Sequence, residues 1–584
     1  MRTKKLNISL LFVLSLFCTI SCAKIGSPTG GAYDRSAPKL VSCSPKNNSI
    51  KFNGHSFEVS FDEYIELDNV NDNLIVSPPL KEIPTVKSYL RKMEVSFSDT
   101  LRANTTYIFD FGQSIKDFNE GNKLSSFVYS FSTGDAIDTL QYKGRVIDAY
   151  TLNPIKGEYV MLYKETDFDS IKHLAPSYLT RCDSSGNFSF SNIAQGQYYI
   201  LAIDDENKNL RFDEQTESVA FNPQLIKATN YLQAGNDTSR KDSIITKKDS
   251  LIAKTESAKD LGAIMEANTL YFYSPLDTAL IVSSLKFISP FAFQLSFQNP
   301  LTDSLALVFS YPKIENPYSC TDYSLLYSAK RDTLTIYSLN KTFDSIKCSL
   351  VYGTQKQDIE QYRDIPKNEK IKDTFTLSPP ASIVAYFEPL LLKMSLPIND
   401  STLTFKAFYI KDSVSIALPC KVYEKNHFYV QVGNKPFAQN SKGTIKIPAA
   451  SFSNGTGQVN DSTSFNFSVD SPEQYGNLIF SITDSTKDSS LYKHYIFLLE
   501  DTTGKTIDTA FAQTNQKIHF TNLKEGTYRI KIIEDRNNNH RWDRGSFTQR
   551  ILPERVFYFD KTIPIRKNWD IEASSGSDYS HSDQ

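Results

Sequence analysis

The chain has almost no methionine or tryptophan, five and two residues in 584, and no long stretch in which apolar residues return every three to four positions. The second lack removes amphipathic helices as the main building element. An excess of charge of one sign is missing too. Lys and Arg total 64 against 66 Asp and Glu, so no basic field draws the protein onto nucleic acid, and no such partner is expected. The seven histidines, His55, His173, His427, His494, His519, His540 and His581, stand singly. No H-E-x-x-H, G-x-S-x-G, P-loop or dinucleotide fingerprint occurs, so no catalytic residues are named and the chain reads as a non-enzyme. Cysteines are few and their spacing fits no zinc pattern.

What the chain does have is aromatic residues, 32 Tyr and 39 Phe, set in short alternating runs bounded by Asn, Pro and Gly. That is the pattern of half-buried strands, and the expected class is all-β, a series of tandem β-sandwich domains. A chain of 584 residues is too long for one core and suits about four or five such domains.

One stretch occurs twice. Phe190 to Asp213 reads FSNIAQGQYYILAIDDENKNLRFD and Phe520 to Asp543 reads FTNLKEGTYRIKIIEDRNNNHRWD, with 11 of 24 positions identical and no gap. One domain has been used twice. In each copy Asn192/Asn522 and Gly196/Gly526 supply a turn, Tyr198, Ile200, Ala202 or Tyr528, Ile530, Ile532 alternate as a strand, and an acidic, amide-rich loop follows. This order resembles the prealbumin-like sandwiches of carboxypeptidase regulatory-like domains, whose fold the resemblance implies for both copies.

The first residues, MRTKKLNISLLFVLSLFCTISC, place Arg2, Lys4 and Lys5 before an apolar run too short to span a bilayer comfortably. This reads as an export signal, residues 1–21. Thr19-Ile20-Ser21 before Cys22 resembles a bacterial lipobox, which implies lipidation at Cys22 and an outer-membrane anchor, its face undecided. Residues 22–36 are small and polar, a tether. With Cys22 acylated, Cys43, Cys182, Cys320, Cys348 and Cys420 remain, an odd number, so no disulfide framework is expected, although Cys320 and Cys348 could pair.

Residues 37–134 carry FEVSFDEYIEL, LRANTTYIFDFGQSIKDFNEGN and FVYSFSTG. These resemble bacterial Ig-like domains found in S-layer proteins and in lipoproteins of the Bacteroidetes group, which implies an Ig-like sandwich without a common catalytic site. Its acidic cluster, Asp62, Glu63, Glu66 and Asp68, interleaves with apolar residues and reads as a solvated strand edge. The rest divides into a prealbumin-like sandwich (138–227), a Ser/Thr/Lys/Asp-rich linker (228–265), a β-sandwich of no named family (266–377), an Ig-like sandwich (378–470), the second prealbumin-like copy (471–573) and a polar tail (574–584).

The repeated loops, Asp205-x-Asn207-x-Asn209-x-Arg211-x-Asp213 and Asp535-x-Asn537-x-Asn539-x-Arg541-x-Asp543, are the one candidate site. Asp and Asn at alternate positions suit weak calcium binding, but Leu210 or His540 stands where a calcium loop has glycine. Glu217 falls one residue late, and the second copy has nothing comparable in register. An Asx-rich hairpin that bonds its own backbone is the favoured reading, and calcium the competing one. No other cofactor is expected. The expected function is a non-catalytic binding or scaffold lipoprotein whose partners are the membrane, through its lipid, and envelope proteins or glycans. The alternatives are an accessory subunit of an outer-membrane assembly or export machine, and a polysaccharide-processing enzyme whose carboxylate pair only the fold assembles.

Overall fold

The computed structural model describes residues 34–575 apart from 165, 214–216, 230–263, 275–281, 290, 298–305, 310–322, 329–330, 340–344, 353–354, 363–373, 379–381, 399–405, 424–425, 435, 455–456 and 483–492. The export signal, Cys22, the tether, Cys320 and nearly all of the expected linker lie outside the described residues. The fold class is the expected one: the regular elements among the described residues are almost all strands, paired in sheets.

In the first module one sheet runs Leu40–Ser44, Ser56–Phe61, Lys92–Ser96, Thr85–Tyr89 and the facing one Ile75–Ser77, Thr106–Asp110, Val128–Ser132. The period of two sends Phe57, Val59 and Phe61 inward from the first sheet, where they meet Phe109, Tyr129 and Phe131. The core is an aromatic stack, with Phe57 on Tyr129 and Phe52 on Phe131 both at 3.9 Å between ring centroids. The acidic cluster lies at the surface. Glu66 pairs with Lys116 at 3.3 Å and Asp68 with Lys123 at 2.7 Å, while Asp62 accepts the Lys39 amide at 2.7 Å.

The second and fifth modules have the same plan. A sheet Asn187–Ile193, Leu140–Asp148, Thr269–Phe272 faces one built on Tyr159–Lys164 and Gln197–Ile203. In the fifth module the counterparts are Lys517–Lys524, Tyr475–Ile482, Asp570–Ser575, and His494–Asp501 with Gly526–Asp535. In both, the Tyr that opens the repeated strand bonds back to a carbonyl four residues earlier, Tyr198 to Ala194 and Tyr528 to Lys524, each at 2.8 Å. Asn192 and Asn522 make the preceding turn at φ 54° and 57°.

Two expected boundaries move. Thr269–Phe272, expected to open the third module, instead pairs parallel with Leu140–Asp148 and closes the second. Leu140–Asp148 would otherwise leave an apolar edge, and Leu270 and Phe272 complete the core beside Val146. The second module therefore spans the 228–265 segment instead of ending before it. Phe375 and Leu377 likewise pack in the core of the fourth module, not the third.

The third module pairs Val282–Ser289, Ala292–Phe297, Thr333–Ser338 and Tyr323–Tyr327 in one sheet and Ala306–Phe309, Ser345–Tyr352 and Gln355–Tyr362 in another. In the fourth, the ten-residue strand Val414–Tyr423 joins two halves, its start pairing with Lys406–Lys411 and its end with Asn426–Val432. Among the described residues no disulfide forms; Cys43, Cys182, Cys348 and Cys420 are free.

Candidate cation loops and the joint between the two copies

Each repeated strand runs directly into its loop, so the first aspartate is held by the sheet. Asp205 and Asp535 are both buried. Asp205 Oδ1 accepts the amide of Asn209 at 3.0 Å and Oδ2 that of Leu210 at 2.9 Å; Asp535 takes Asn539 and His540 at the same distances. These bonds explain how the loop forms without glycine. Leu210 and His540 sit at φ 55° and 63°, a left-handed conformation costing a side-chain-bearing residue about 1–2 kcal/mol, and the buried carboxylate offsets it by holding the amide.

The middle side chains fold onto the last aspartate. Asn207 Oδ1 and Asn209 Oδ1 accept the amides of Asn209 and Arg211, at 3.0 and 2.6 Å. Their side-chain nitrogens both donate to Asp213 Oδ2, at 2.6 and 2.9 Å. Asn537 and Asn539 do the same to Asp543. The four residues named in each loop are therefore brought together. Among the described residues no three or more His, Cys, Asp or Glu side chains are gathered as they stand to hold a metal ion.

From the sequence Glu217 stood one residue out of register and Glu554 went unnoticed, yet these two close the loops. Asp213 donates its amide to Glu217 Oε2 at 2.9 Å, and Asp543 donates to Glu554 Oε2, also at 2.9 Å. The expectation that the second copy lacks a counterpart of Glu217 is thus corrected. Val219 pairs with Ile203 and Val556 with Ile533, so the second copy carries seven extra residues before its glutamate, and an ungapped alignment cannot place it. The signal was an unmatched glutamate two residues before a strand of V-A-F or V-F-Y. Glu217 is 1% exposed, and its Oε1 is buried with no partner. Burial first, then Asp205, Asp213 and Asp204, push its carboxyl up to about 7, against the pull of the Asp213 amide. Glu554 is raised in the same direction by burial, although its Oε1 accepts the Arg536 amide at 2.7 Å.

The inserted residues do separate work. Phe547, at the middle of the insertion, is fully buried, but not in its own module. It stacks on Phe168 at 4.8 Å and meets Phe212 at 5.0 Å and Phe221 at 5.2 Å, all from the first copy. Gly545 lets the insertion pass Tyr273, because a Cβ there would lie 2.6 Å from the tyrosine ring. Around this plug, Tyr150 packs on Trp542 at 5.1 Å, Lys531 sits 3.7 Å over the Tyr150 ring, Lys172 Nζ donates to Thr548 at 3.1 Å and Arg550 pairs with Asp169 at 3.3 Å. Leu152 packs with Ile496, Ile533 and Val556 of the second copy. The two copies, far apart in sequence, form one joint with a shared apolar core.

Residues 34–133 match the family of bacterial Ig-like domains. No curated protein matches the chain. Solved structures similar to it include a variant of BcpA, the major pilin subunit of Bacillus cereus (10% identity, TM-score 0.14, covering 74% of this chain and 99% of that one). Another is the Bacillus anthracis TIE protein (10%, 0.13, 94% and 75%), and a third the S-layer protein rSbsC (12%, 0.14, 91% and 67%). At TM-scores this low the likenesses carry nothing about role.

Proposed function

We propose that this is a lipid-anchored, non-catalytic scaffold of the bacterial cell envelope, held to the outer membrane through Cys22, with its sandwiches presenting binding faces to envelope proteins or glycans. The match of residues 34–133 to bacterial Ig-like domains is the observation that carries the reading. Domains of this architecture position surfaces and host no shared chemistry. The N-terminal sequence supports the anchor, because acyl chains contribute about 0.8 kcal/mol per buried methylene and two or more hold a protein stably at a bilayer. The joint between the copies supports the scaffold: a buried aromatic plug fixes the second module against the fifth, so faces on the two keep one relative orientation.

The test is Cys22→Ala in the full chain, expressed in a bacterium that makes lipoproteins. The variant is expected to lose incorporation of labelled fatty acid and to leave the outer-membrane fraction. Retention of both label and membrane partition in the variant overturns the anchor.

A further inference from the structure

We propose that the two repeated loops are calcium-type cation sites, each completed by a carboxylate from beyond the motif, Glu217 in the first copy and Glu554 in the second. The inference does not rest on the scaffold reading. Its first support is the buried, unpartnered Oε1 of Glu217, a carboxylate whose other oxygen, Oε2, accepts the Asp213 amide beside the loop carboxylates. A buried carboxylate oxygen without a donor is costly, and more so beside Asp205 and Asp213, unless a cation is there to meet it. The second support is independent of the first. Although the second copy carries seven extra residues between its last loop aspartate and the next strand, a glutamate again bonds the same amide, Asp543 at 2.9 Å. Each copy thus keeps a carboxylate on the amide of its last loop aspartate, although in the second the other oxygen accepts the Arg536 amide at 2.7 Å.

The donors suit a hard cation of variable coordination. Asp205, Asp213 and Glu217 supply carboxylates, and Asn207 and Asn209 supply amide oxygens, each accepting a single backbone amide and so keeping a lone pair free. The carbonyl of Arg211 falls at the loop's seventh position, where calcium loops use the backbone. Six to eight oxygens on an irregular loop fit calcium; magnesium demands a near-ideal octahedron and keeps its waters. Without an ion, the side-chain nitrogens of Asn207 and Asn209 point their partial positive charge at Asp213 and stand in for it. The sites also bear on the joint. Phe212 belongs to the first loop and Phe547 lies between Asp543 and Glu554, so an ion in each loop would fix both sides of the plug.

The experiment titrates the full chain with calcium by calorimetry, and with terbium by luminescence sensitised through Trp542, whose indole donates to the Glu554 carbonyl at 2.9 Å. Two calcium ions are expected to bind with dissociation constants of roughly 0.1–1 mM, as in extracellular modules, and magnesium at equal concentration should not displace them. Glu217→Gln and Glu554→Gln keep an oxygen for the aspartate amide, so each should fold; each is expected to weaken one site at least tenfold and leave the other unchanged. Asp205→Asn gives a second variant for the first loop. The proposal falls if no calcium binds below about 10 mM, if magnesium binds equally well, or if Glu217→Gln leaves both affinities unchanged.

Discussion

The two copies of the repeated module share every strand pairing and the same loop bonds, yet differ in how the loop ends. The first returns to its sheet in four residues, from Asp213 to Glu217, and the second takes eleven, from Asp543 to Glu554. The extra residues leave the second copy's own core untouched. They carry Phe547 into a hollow walled by Phe168, Phe212 and Phe221 of the first copy. Duplication supplied two identical supports, and an insertion in one of them became the contact that joins the pair. The shared part of the loop serves the loop, and the unshared part serves the joint.

Removing the plug is the largest break this comparison allows. Phe547→Ala deletes a fully buried ring and should cost about 3–5 kcal/mol, lost from the contact between modules and not from either sandwich. Calorimetry of the full chain should show the second and fifth modules melting together in the parent and at separate temperatures in the variant. A single transition merely shifted downward would mean that the plug stabilises its own module.

A smaller effect sharpens the shared part. Asp205→Ala and Asp535→Ala each remove two acceptors for backbone amides and the support of a left-handed residue. Each should destabilise its own module by about 2–3 kcal/mol. The two costs should agree, and a difference of twofold or more would show that the loops are alike in sequence only.

The pH dependence should separate the copies in the opposite way. The Glu217 carboxyl is pushed up to about 7 by burial and by Asp205, Asp213 and Asp204. Its protonated form is therefore favoured on folding, and the stability this gives is complete below the unfolded value and lost as pH rises through about 7. Glu158 in the same module, pushed up to about 7 by burial and Asp204, adds a slope of the same sign. Without calcium, the melting temperature of the second module should fall by several degrees between pH 5 and 8 (about 4–8 °C per kcal/mol for a domain this size). Glu217→Gln should flatten much of that fall, whereas Glu554→Gln should lower the fifth module's stability at every pH, because its side-chain nitrogen replaces an oxygen that accepts a backbone amide.

The smallest effect concerns the rim of the joint. Arg550 and Asp169 are well exposed, at 44% and 66% of their side chains, so Asp169→Ala should cost under about 1 kcal/mol and less in high salt. A larger loss would place more of the joint's energy in charge than in the aromatic plug.

The sequence showed the strands more clearly than their partners. Alternation at Phe57-Val59-Phe61 and Tyr198-Ile200-Ala202 fixes which residues point inward, because the period of two is local. Pairing is not local. Nothing in the LYF of Leu270-Tyr271-Phe272 says that it belongs beside Val146, since the polar residues before it look like a boundary. The second copy held the clue, because there Asp570–Ser575 follows the short strand Ile563–Ile565 closely and pairs parallel with Tyr475–Ile482. The four residues of each loop stand out by spacing alone and Glu217 as a near match, whereas Glu554 does not, because its position depends on how much chain the turn consumes. Nothing in the sequence around Phe547 marks it, and only the neighbouring module reveals its use.

The joint also settles how the molecule would bear a pull. The roughly 200 residues between Phe272 and Tyr475, including the third and fourth modules, form a detour whose two ends are brought together by the contact of the second module with the fifth. Tension applied between the first module and the last strand crosses from one copy to the other through Phe547 and its aromatic walls, and the detour stays slack while that contact holds. When it yields, the third and fourth modules come under load and their folded length is released at once. The plug then behaves as a fuse in series with a reserve of extension.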